Sequence, residues 1–241
     1  MQYFKKYYIV YVLTIAFVLS AAYYAREDIT AYLSTAAELT VPATTVVIDP
    51  GHGGEDGGAV GRSGVPESTL NLEIGLRLND LCMLLGIPTK MIRTEDVAVY
   101  TEGAHSISEK KVSDLKNRAD IVNHTPGALL ISIHQNSFPE ERYAGAQVFF
   151  ADTEGSEALA ELLQERIDTI LDPNNRRKCK PCQTVYLMEH IQCTGILLEC
   201  GFLTNADEEM KLRTPAYQKQ LVCTVISALT EFLATAADRP V

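Results

Sequence analysis

The sequence predicts an α/β fold: a single domain with a twisted, mostly parallel sheet flanked by helices, following an N-terminal transmembrane helix. Aliphatic and β-branched runs, typical of buried strands, alternate with runs whose apolar residues recur at helical spacing. This alternation indicates βαβ units, in which helices cover both faces of a parallel sheet. The transmembrane helix is predicted by an uninterrupted stretch without charged residues at 7–25.

The elements of this fold can be predicted in order along the chain. We expect strands at 45–48, 88–92, 129–133, 146–150, 184–188 and 195–199. We expect helices at 68–85, 112–123, 157–171 and 217–236. In such sheets the active site lies past the carboxyl ends of the strands, so the residues that carry chemistry are expected there.

Residues 1–26 are predicted to be a membrane anchor or a cleaved signal segment. The uncharged run at 7–25 is long enough, at about 1.5 Å per residue, to cross a hydrocarbon core of about 30 Å. Lys5 and Lys6 precede the run, which favours an N-terminus inside and the rest of the chain outside. Small residues at 20–22 keep cleavage open as the alternative. We therefore expect an extracytoplasmic protein, anchored to the cell membrane or exported if the segment is cleaved.

The rest of the chain is predicted to form a tether at 27–44 and one catalytic domain at 45–241. Hydrophobic residues make up 46% of the sequence and charged residues 22%, which is typical of a globular domain. The formal net charge of −10 argues against a nucleic-acid partner, because phosphate binding needs a clustered positive surface.

Four candidate ligands or catalysts lie next to predicted elements. His52 is in the block DPGHGG, whose glycines let the backbone turn tightly and leave the imidazole accessible. Glu67 precedes the first predicted helix, and His134 directly follows the third predicted strand. Glu199 ends the last predicted strand, which is too apolar to be exposed, so its carboxylate needs a partner.

Two histidines and two glutamates at one edge of a sheet match the requirements of a zinc hydrolase. Catalytic zinc takes three protein ligands, often two histidines and a glutamate, and a second carboxylate then serves as general base. We predict that His52, Glu67 and His134 hold one zinc ion, but the residue types alone leave Glu67 and Glu199 interchangeable. A phosphate- or nucleotide-binding loop is the competing interpretation, and the absence of a P-loop lysine disfavours it.

Four segments resemble the signature blocks of the zinc-dependent N-acetylmuramoyl-L-alanine amidases, the amidase-3 family. They are VVIDPGHGGEDGGAVG, ESTLNLEI, ISIHQNS and ILLECGFLTN, and they occur in the family's order. The similarity extends from about Thr45 to Phe232. The segments VYLMEH and PAYQKQL also resemble the family's sporulation amidases, which prepare muramic-δ-lactam in the spore cortex.

The resemblance implies that His52, Glu67 and His134 are the zinc ligands and that Glu199 is catalytic. It implies hydrolysis of the amide between N-acetylmuramic acid and the L-alanine of the peptidoglycan stem peptide, in spore cortex maturation. Whether a protein partner activates the enzyme stays open. Two other functions stay open as well: a zinc peptidase acting within the stem peptide, and a non-catalytic cell-wall-binding module.

Other residues carry weaker predictions. Arg93 and Arg118 either serve the site, by binding substrate or supporting it, or form buried ion pairs. Asp56 is expected to form a turn in the glycine-rich loop. Cys179 and Cys182 form a C-x-x-C motif without a second pair at matching spacing, so we expect a local disulfide or free thiols rather than a second metal site.

Overall fold

The computed structural model describes residues 44–237, which fold around one six-stranded sheet. The strands are β1 (Thr45–Pro50), β2 (Thr89–Met91), β3 (Ala128–Asn136), β4 (Gln147–Phe150), β5 (Lys180–Pro181) and β6 (Gly195–Phe202). The helices are α1 (Glu67–Leu84), α2 (Ile107–Asn123), α3 (Ser156–Arg166), α4 (Tyr186–His190), α5 (Ala206–Leu212) and α6 (Pro215–Ala237). A π-helical turn, Ile167–Leu171, continues α3.

The strand order across the sheet is β2-β1-β3-β6-β4-β5. The first four of these strands are parallel, whereas β4 is antiparallel to β6, and β5 runs parallel to β4. The predicted α/β domain with a mostly parallel sheet is therefore confirmed. Because β4 is reversed, it begins at the end of the sheet where β1, β3 and β6 finish.

Helices cover both faces of the sheet, so the central strands are buried on both sides. Val46 and Ile48 belong to the core under α1, α3 and α6. Val47 belongs to a second core on the opposite face, under α2 and α4. All three residues have no exposed surface, which explains why β1 is a continuous apolar run rather than an alternating one.

Helix α2 begins earlier than the predicted start at 112, because a capping box fixes its first turn. The Ser106 hydroxyl accepts from the amide of Glu109 at 3.1 Å, and the Glu109 carboxylate accepts from the amide of Ser106 at 3.0 Å. The first turn itself is largely exposed, with Ile107 80% accessible, so the apolar periodicity misses it.

The predicted strand at 184–188 is wrong, because Tyr186–His190 forms the short helix α4. Leu187 and Met188 are each only 2% exposed and both pack in the core under α2. Adjacent strand residues point to opposite faces, so only a helical turn buries both against one side. The short elements β5 and α5 were not predicted; α5 depends on Asn205, whose side chain caps its first amides.

Among residues 44–237, no helix combines the length and apolar character needed to cross a membrane. The transmembrane helix predicted from the run at 7–25 lies outside the described residues. So does the tether at 27–44 except for its last residue.

Candidate active site

His52, Glu67 and His134 converge at the carboxyl end of the parallel strands. They come from the loop after β1, the first turn of α1 and the end of β3. One possible ligand atom from each lies within 4.8 Å of the other two. His52 Nε2 is 3.4 Å from Glu67 Oε2, and His134 Nδ1 is 3.0 Å from Glu67 Oε1. The glutamate is buried and both imidazoles are partly exposed, so the cluster opens to solvent on the histidine side.

This cluster fits a zinc ion. Two imidazoles and one carboxylate are a common donor set of catalytic zinc, with a fourth position left for water. Tetrahedral ligands about 2.0–2.2 Å from zinc lie roughly 3.3–3.6 Å from each other. The 3.4 Å separation lies in this range, and the 3.0 Å separation, to the other oxygen of Glu67, is slightly shorter. Within the described part of the chain, no other group of three such side chains has this arrangement.

Glu67 is held by donors on both carboxylate oxygens. Its Oε1 accepts from the amide of Gln135, and its Oε2 accepts from the amide of Ala59, both at 3.0 Å. Burial alone would raise the pKa of Glu67, but hydrogen bonds and charge from His134 and His52 hold that pKa well below its usual range. Glu67 is therefore kept as a fixed carboxylate between the two imidazoles.

Glu199 has the opposite environment, although it lies beside the cluster. It is the cross-strand partner of His134 in the ladder between β3 and β6. Its Oε2 is buried without a hydrogen-bond partner among the described residues. Burial raises the pKa of Glu199 to about 7; the charge of Glu67 raises it too, and His134 and His52 oppose the rise. A buried carboxyl oxygen without a partner costs stability, and a strongly shifted carboxyl beside such a cluster marks a candidate functional residue.

The loop that carries His52 has a strained backbone at the histidine itself. His52 has φ 61°, in the left-handed region that residues other than glycine rarely adopt. Its Nδ1 lies 3.1 Å from Asp56 Oδ1, which also accepts from the amide of Gly58 at 3.2 Å. Burial lowers the pKa of His52, but the carboxylates of Glu67 and Asp56 more than offset this and raise it. Asp56 thus shapes the turn, as predicted, and also orients the ring.

Arg118 ties this strained loop to the core. Its guanidinium bonds Asp49 at 2.5 Å and Asp114 at 2.7 Å, and it donates to the carbonyl of His52 at 2.7 Å. Burial alone would raise the pKa of Asp49, but the charge of Arg118 and a hydrogen bond from Ser132 help hold that pKa below its ordinary value. Arg118 therefore forms a buried ion pair and also supports the loop that carries His52, so both interpretations of this arginine hold.

Arg93 supports the loop in a different way. It is 3% exposed and forms no ion pair within 4.0 Å in the described residues. Its guanidinium instead donates to the backbone carbonyls of Pro50, Gly51 and Ser68 at 2.8–3.0 Å. The ion-pair interpretation of Arg93 is thus wrong, and its charge-assisted hydrogen bonds join the end of β1 to the start of α1.

Two glycines are required by the closeness of the site residues. A Cβ at Gly51 would collide with the imidazole ring of His134. A Cβ at Gly58, which has φ 68°, would lie 2.6 Å from Glu67 Oε2 and 2.7 Å from the ring of His52. The glycines of this loop therefore let three segments approach closely, in addition to allowing the turn.

Several supporting residues were not singled out from the sequence. Asp49 is charged and only 1% exposed, and it follows an apolar strand directly. Asp49, like Glu199, is a carboxylate at the end of a buried apolar run, so the same sequence signal could have identified it. Asn71 and Gln135, which bond each other and Glu67, left no comparable signal. Both residues of the C-x-x-C motif are free thiols, one of the two predicted states.

The family model for N-acetylmuramoyl-L-alanine amidases matches residues 46–231. The chain therefore belongs to this family of peptidoglycan amidases, and the resemblance noted in the signature blocks is confirmed.

The chain is also similar to individual amidases of this family. The chain is 33% identical over 203 residues to the germination-specific N-acetylmuramoyl-L-alanine amidase of Bacillus subtilis (strain 168), covering 84% of this chain and 85% of that protein. It superimposes with TM-score 0.77 and 31% identity on the CwlD amidase from Clostridioides difficile in complex with the GerS lipoprotein, covering 80% and 99% of the two chains. An N-acetylmuramoyl-L-alanine amidase from Clostridium difficile 630 gives 0.69 at 30% identity, covering 80% and 98%.

The ion pair under the site predicts a pH-dependent stability. Asp49→Asn leaves Arg118 buried with only Asp114, and should lower the free energy of unfolding by about 3 kcal/mol at pH 7. The folded pKa of Asp49 lies below its ordinary value of 3.8, so its contribution is present above that value and lost as the pH falls through the folded pKa. Urea unfolding should therefore show a difference from wild type that shrinks below about pH 4.

The exposed residue Asp120 on α2 provides the control. Asp120→Asn should change stability by less than about 0.5 kcal/mol at either pH. An Asp49→Asn effect of equal size at pH 7 and pH 3 would show that charge pairing is not its cause.

Proposed function

We propose that this chain is a zinc-dependent amidase that cleaves the amide between the lactyl group of N-acetylmuramic acid and the L-alanine of the stem peptide. The observation that carries the proposal is the buried Oε2 of Glu199, which has no hydrogen-bond partner among the described residues and belongs to a residue beside the cluster of His52, Glu67 and His134. Membership of the amidase family supports the substrate class. In this proposal His52, Glu67 and His134 hold the zinc ion, and Glu199 is the catalytic residue.

We assign different roles to Glu67 and Glu199 because their environments differ. A bound zinc ion supplies Lewis acidity, which polarises the scissile carbonyl and acidifies water. Glu199 takes a proton from the attacking water and returns it to the departing amine of L-alanine. A pKa near 7 suits both transfers at neutral pH. Glu67 cannot share this task, because its pKa is held low and its oxygens are already engaged.

We infer a role in spore cortex maturation, outside the cytoplasm and at the cell membrane. Similarity to the germination-specific amidase of Bacillus subtilis supports the role in spores. The run at 7–25 supports the membrane attachment. The CwlD amidase was solved in complex with a lipoprotein, so a lipoprotein is the class of protein partner we propose. Co-purification of a lipoprotein with the full chain from solubilised membranes tests this last point.

The reaction is tested by product analysis on purified peptidoglycan. The full chain with zinc should release peptides that begin with L-alanine and leave glycan strands with free lactyl groups, detected by mass spectrometry. A chelator should abolish release, and added zinc should restore it. A zinc peptidase would instead leave L-alanine on the glycan, and a wall-binding module would bind peptidoglycan without releasing any peptide.

The roles of the two glutamates are tested by paired substitutions. Glu199→Gln is nearly isosteric but cannot carry a proton, so zinc content should stay near one per chain while kcat falls roughly 10²–10⁴-fold. Glu67→Gln should weaken zinc binding, because a neutral amide is a poorer ligand than a carboxylate. Zinc content and turnover are measured on both variants. Zinc-free Glu199→Gln beside zinc-replete Glu67→Gln would reverse the assignment.

The membrane anchor is tested by fractionation. The full chain should sediment with membranes after a high-salt wash and be released by detergent, because an apolar span is held by lipid rather than by charge. A variant that begins at residue 27 should remain in the supernatant. Recovery of a mature chain that starts near Tyr23 would show that the segment is cleaved instead.

A further inference from the structure

A cleft of about 510 Å³, which the proposed proton transfers do not use, lies next to the candidate active site. Arg142, Arg176 and Arg177 line it together with Tyr143, and we call it the arginine cleft. Its walls are the segment between β3 and β4 and the segment between the π-helical turn and β5. The reversed direction of β4 brings both segments to the end of the sheet where the cluster lies.

The arginine cleft is linked to the proposed catalytic residue through the strands that flank both. Gln147, the first residue of β4, is the cross-strand partner of Glu199 and is buried. Its side-chain amide donates to the carbonyl of Lys178 at 2.7 Å, which fixes the chain directly after Arg177. The guanidinium of Arg177 in turn lies 4.6 Å from the ring centroid of Phe202, the last residue of β6. Between Glu199 and Phe202 a bulge sets three residues of β6 against two of β3, so the cleft begins roughly 7–10 Å beyond Glu199.

The charges of the arginine cleft are unbalanced. In the described residues, no carboxylate lies within 4.0 Å of Arg142, Arg176 or Arg177, whereas the whole chain has a net charge of −10. Asp172 is the one acidic residue in its lining. Glu208 lies nearby, but its two oxygens accept from backbone amides. Three unpaired guanidinium groups around one cavity make a site for an anion.

The guanidinium groups are also held in position before any ligand arrives. Arg177 Nε donates to the carbonyl of Ala144 at 3.0 Å, and its guanidinium lies over the rings of Phe202 and Tyr143. Arg142 lies over Tyr143 at 5.4 Å. No described acceptor bonds the two terminal nitrogens of Arg177, and a planar pair of such donors matches a carboxylate in bidentate geometry.

We propose that the arginine cleft binds the free carboxylates of the peptidoglycan stem peptide, on the side of the scissile amide that departs. This inference rests on the proposed function, which supplies the substrate class. The stem peptide continues from L-alanine into acidic residues, and an extended chain spans about 3.3–3.6 Å per residue. Its second and third residues therefore reach roughly 7–11 Å beyond the cleaved bond, which is the distance at which the cleft begins. The cleft would thus bind stem peptides with free carboxylates more tightly than stem peptides whose carboxylates are amidated.

The first test measures equilibrium binding and needs no turnover. Two synthetic stem peptides, one with free carboxylates and one with those carboxylates amidated, are titrated calorimetrically into the detergent-solubilised full chain. Wild type should bind the free-acid peptide at least about tenfold more tightly, as expected for a charge-assisted bidentate contact. Arg142→Gln and Arg177→Gln should each reduce this preference, and Arg142→Lys should restore part of it. Arg213, which is exposed and has no ion pair among the described residues, provides the control, and Arg213→Gln should keep the preference.

The second test separates binding from chemistry. With peptidoglycan that carries free carboxylates, the two Arg→Gln variants should raise KM about tenfold or more and leave kcat near wild type. With amidated peptidoglycan they should change neither constant. A structural role would instead lower kcat on both substrates, and that result would overturn the proposal.

Other outcomes are equally decisive. If wild type binds the two peptides with equal affinity, the inference is overturned. This comparison needs no variant, so it decides the question even if a variant misfolds. Preference for poly(glycerol phosphate) over the free-acid peptide would assign the cleft to wall phosphates and also overturn it. If wild type releases no peptide from peptidoglycan yet shows arginine-dependent peptide binding, the proposed function fails and the assignment of the cleft stands.

Discussion

The geometry of the candidate site depends on how the backbone between Asp49 and His52 is held. This stretch leaves a strand buried on both faces and immediately places a histidine at φ 61°. Arg118 and Arg93 satisfy the carbonyls of this stretch, and Asp49 neutralises the buried charge of Arg118. Left-handed backbone at a residue other than glycine persists only where surrounding contacts enforce it. The two arginines provide those contacts through the backbone and do not occupy the nitrogens of the histidine ring.

Electrostatics then divides the work between two residues of the same type. Glu67 and Glu199 are both carboxylates at the carboxyl end of the sheet, and both are largely removed from water. Hydrogen bonds to the two histidines make one of them a permanent anion, whereas desolvation without a partner brings the other into the neutral range. The neighbours of each carboxylate therefore give two residues of the same type opposite pKa shifts, and the proposed roles of metal ligand and proton carrier depend on that difference.

The sequence predicted most of the fold and drew attention to four residues that the structure brings together, and the failures have physical causes. The apolar runs of β1, β3 and β6 are buried on both faces, so composition alone identifies them. The residues at 184–188 have strand-like composition, but one helical turn buries Leu187 and Met188 together. Neither the reversed direction of β4 nor the contacts of Asn71 and Gln135 with Glu67 can be read locally, because both arise from residues distant in sequence. The arginine cleft was missed for the same reason, since its arginines come from two separate segments.

The reversed strand β4 has a consequence for how such enzymes diverge. An all-parallel sheet would send the chain after β3 to the far end before it returned, and fewer connections would border the cluster. The reversal places two irregular segments, 137–146 and 172–179, at the catalytic end, and neither contributes a residue of the cluster. Insertion or substitution in these segments would therefore leave the side chains of the cluster unchanged. The fold thus allows the surface that borders the cluster to differ between related enzymes without a change in the residues that form the cluster.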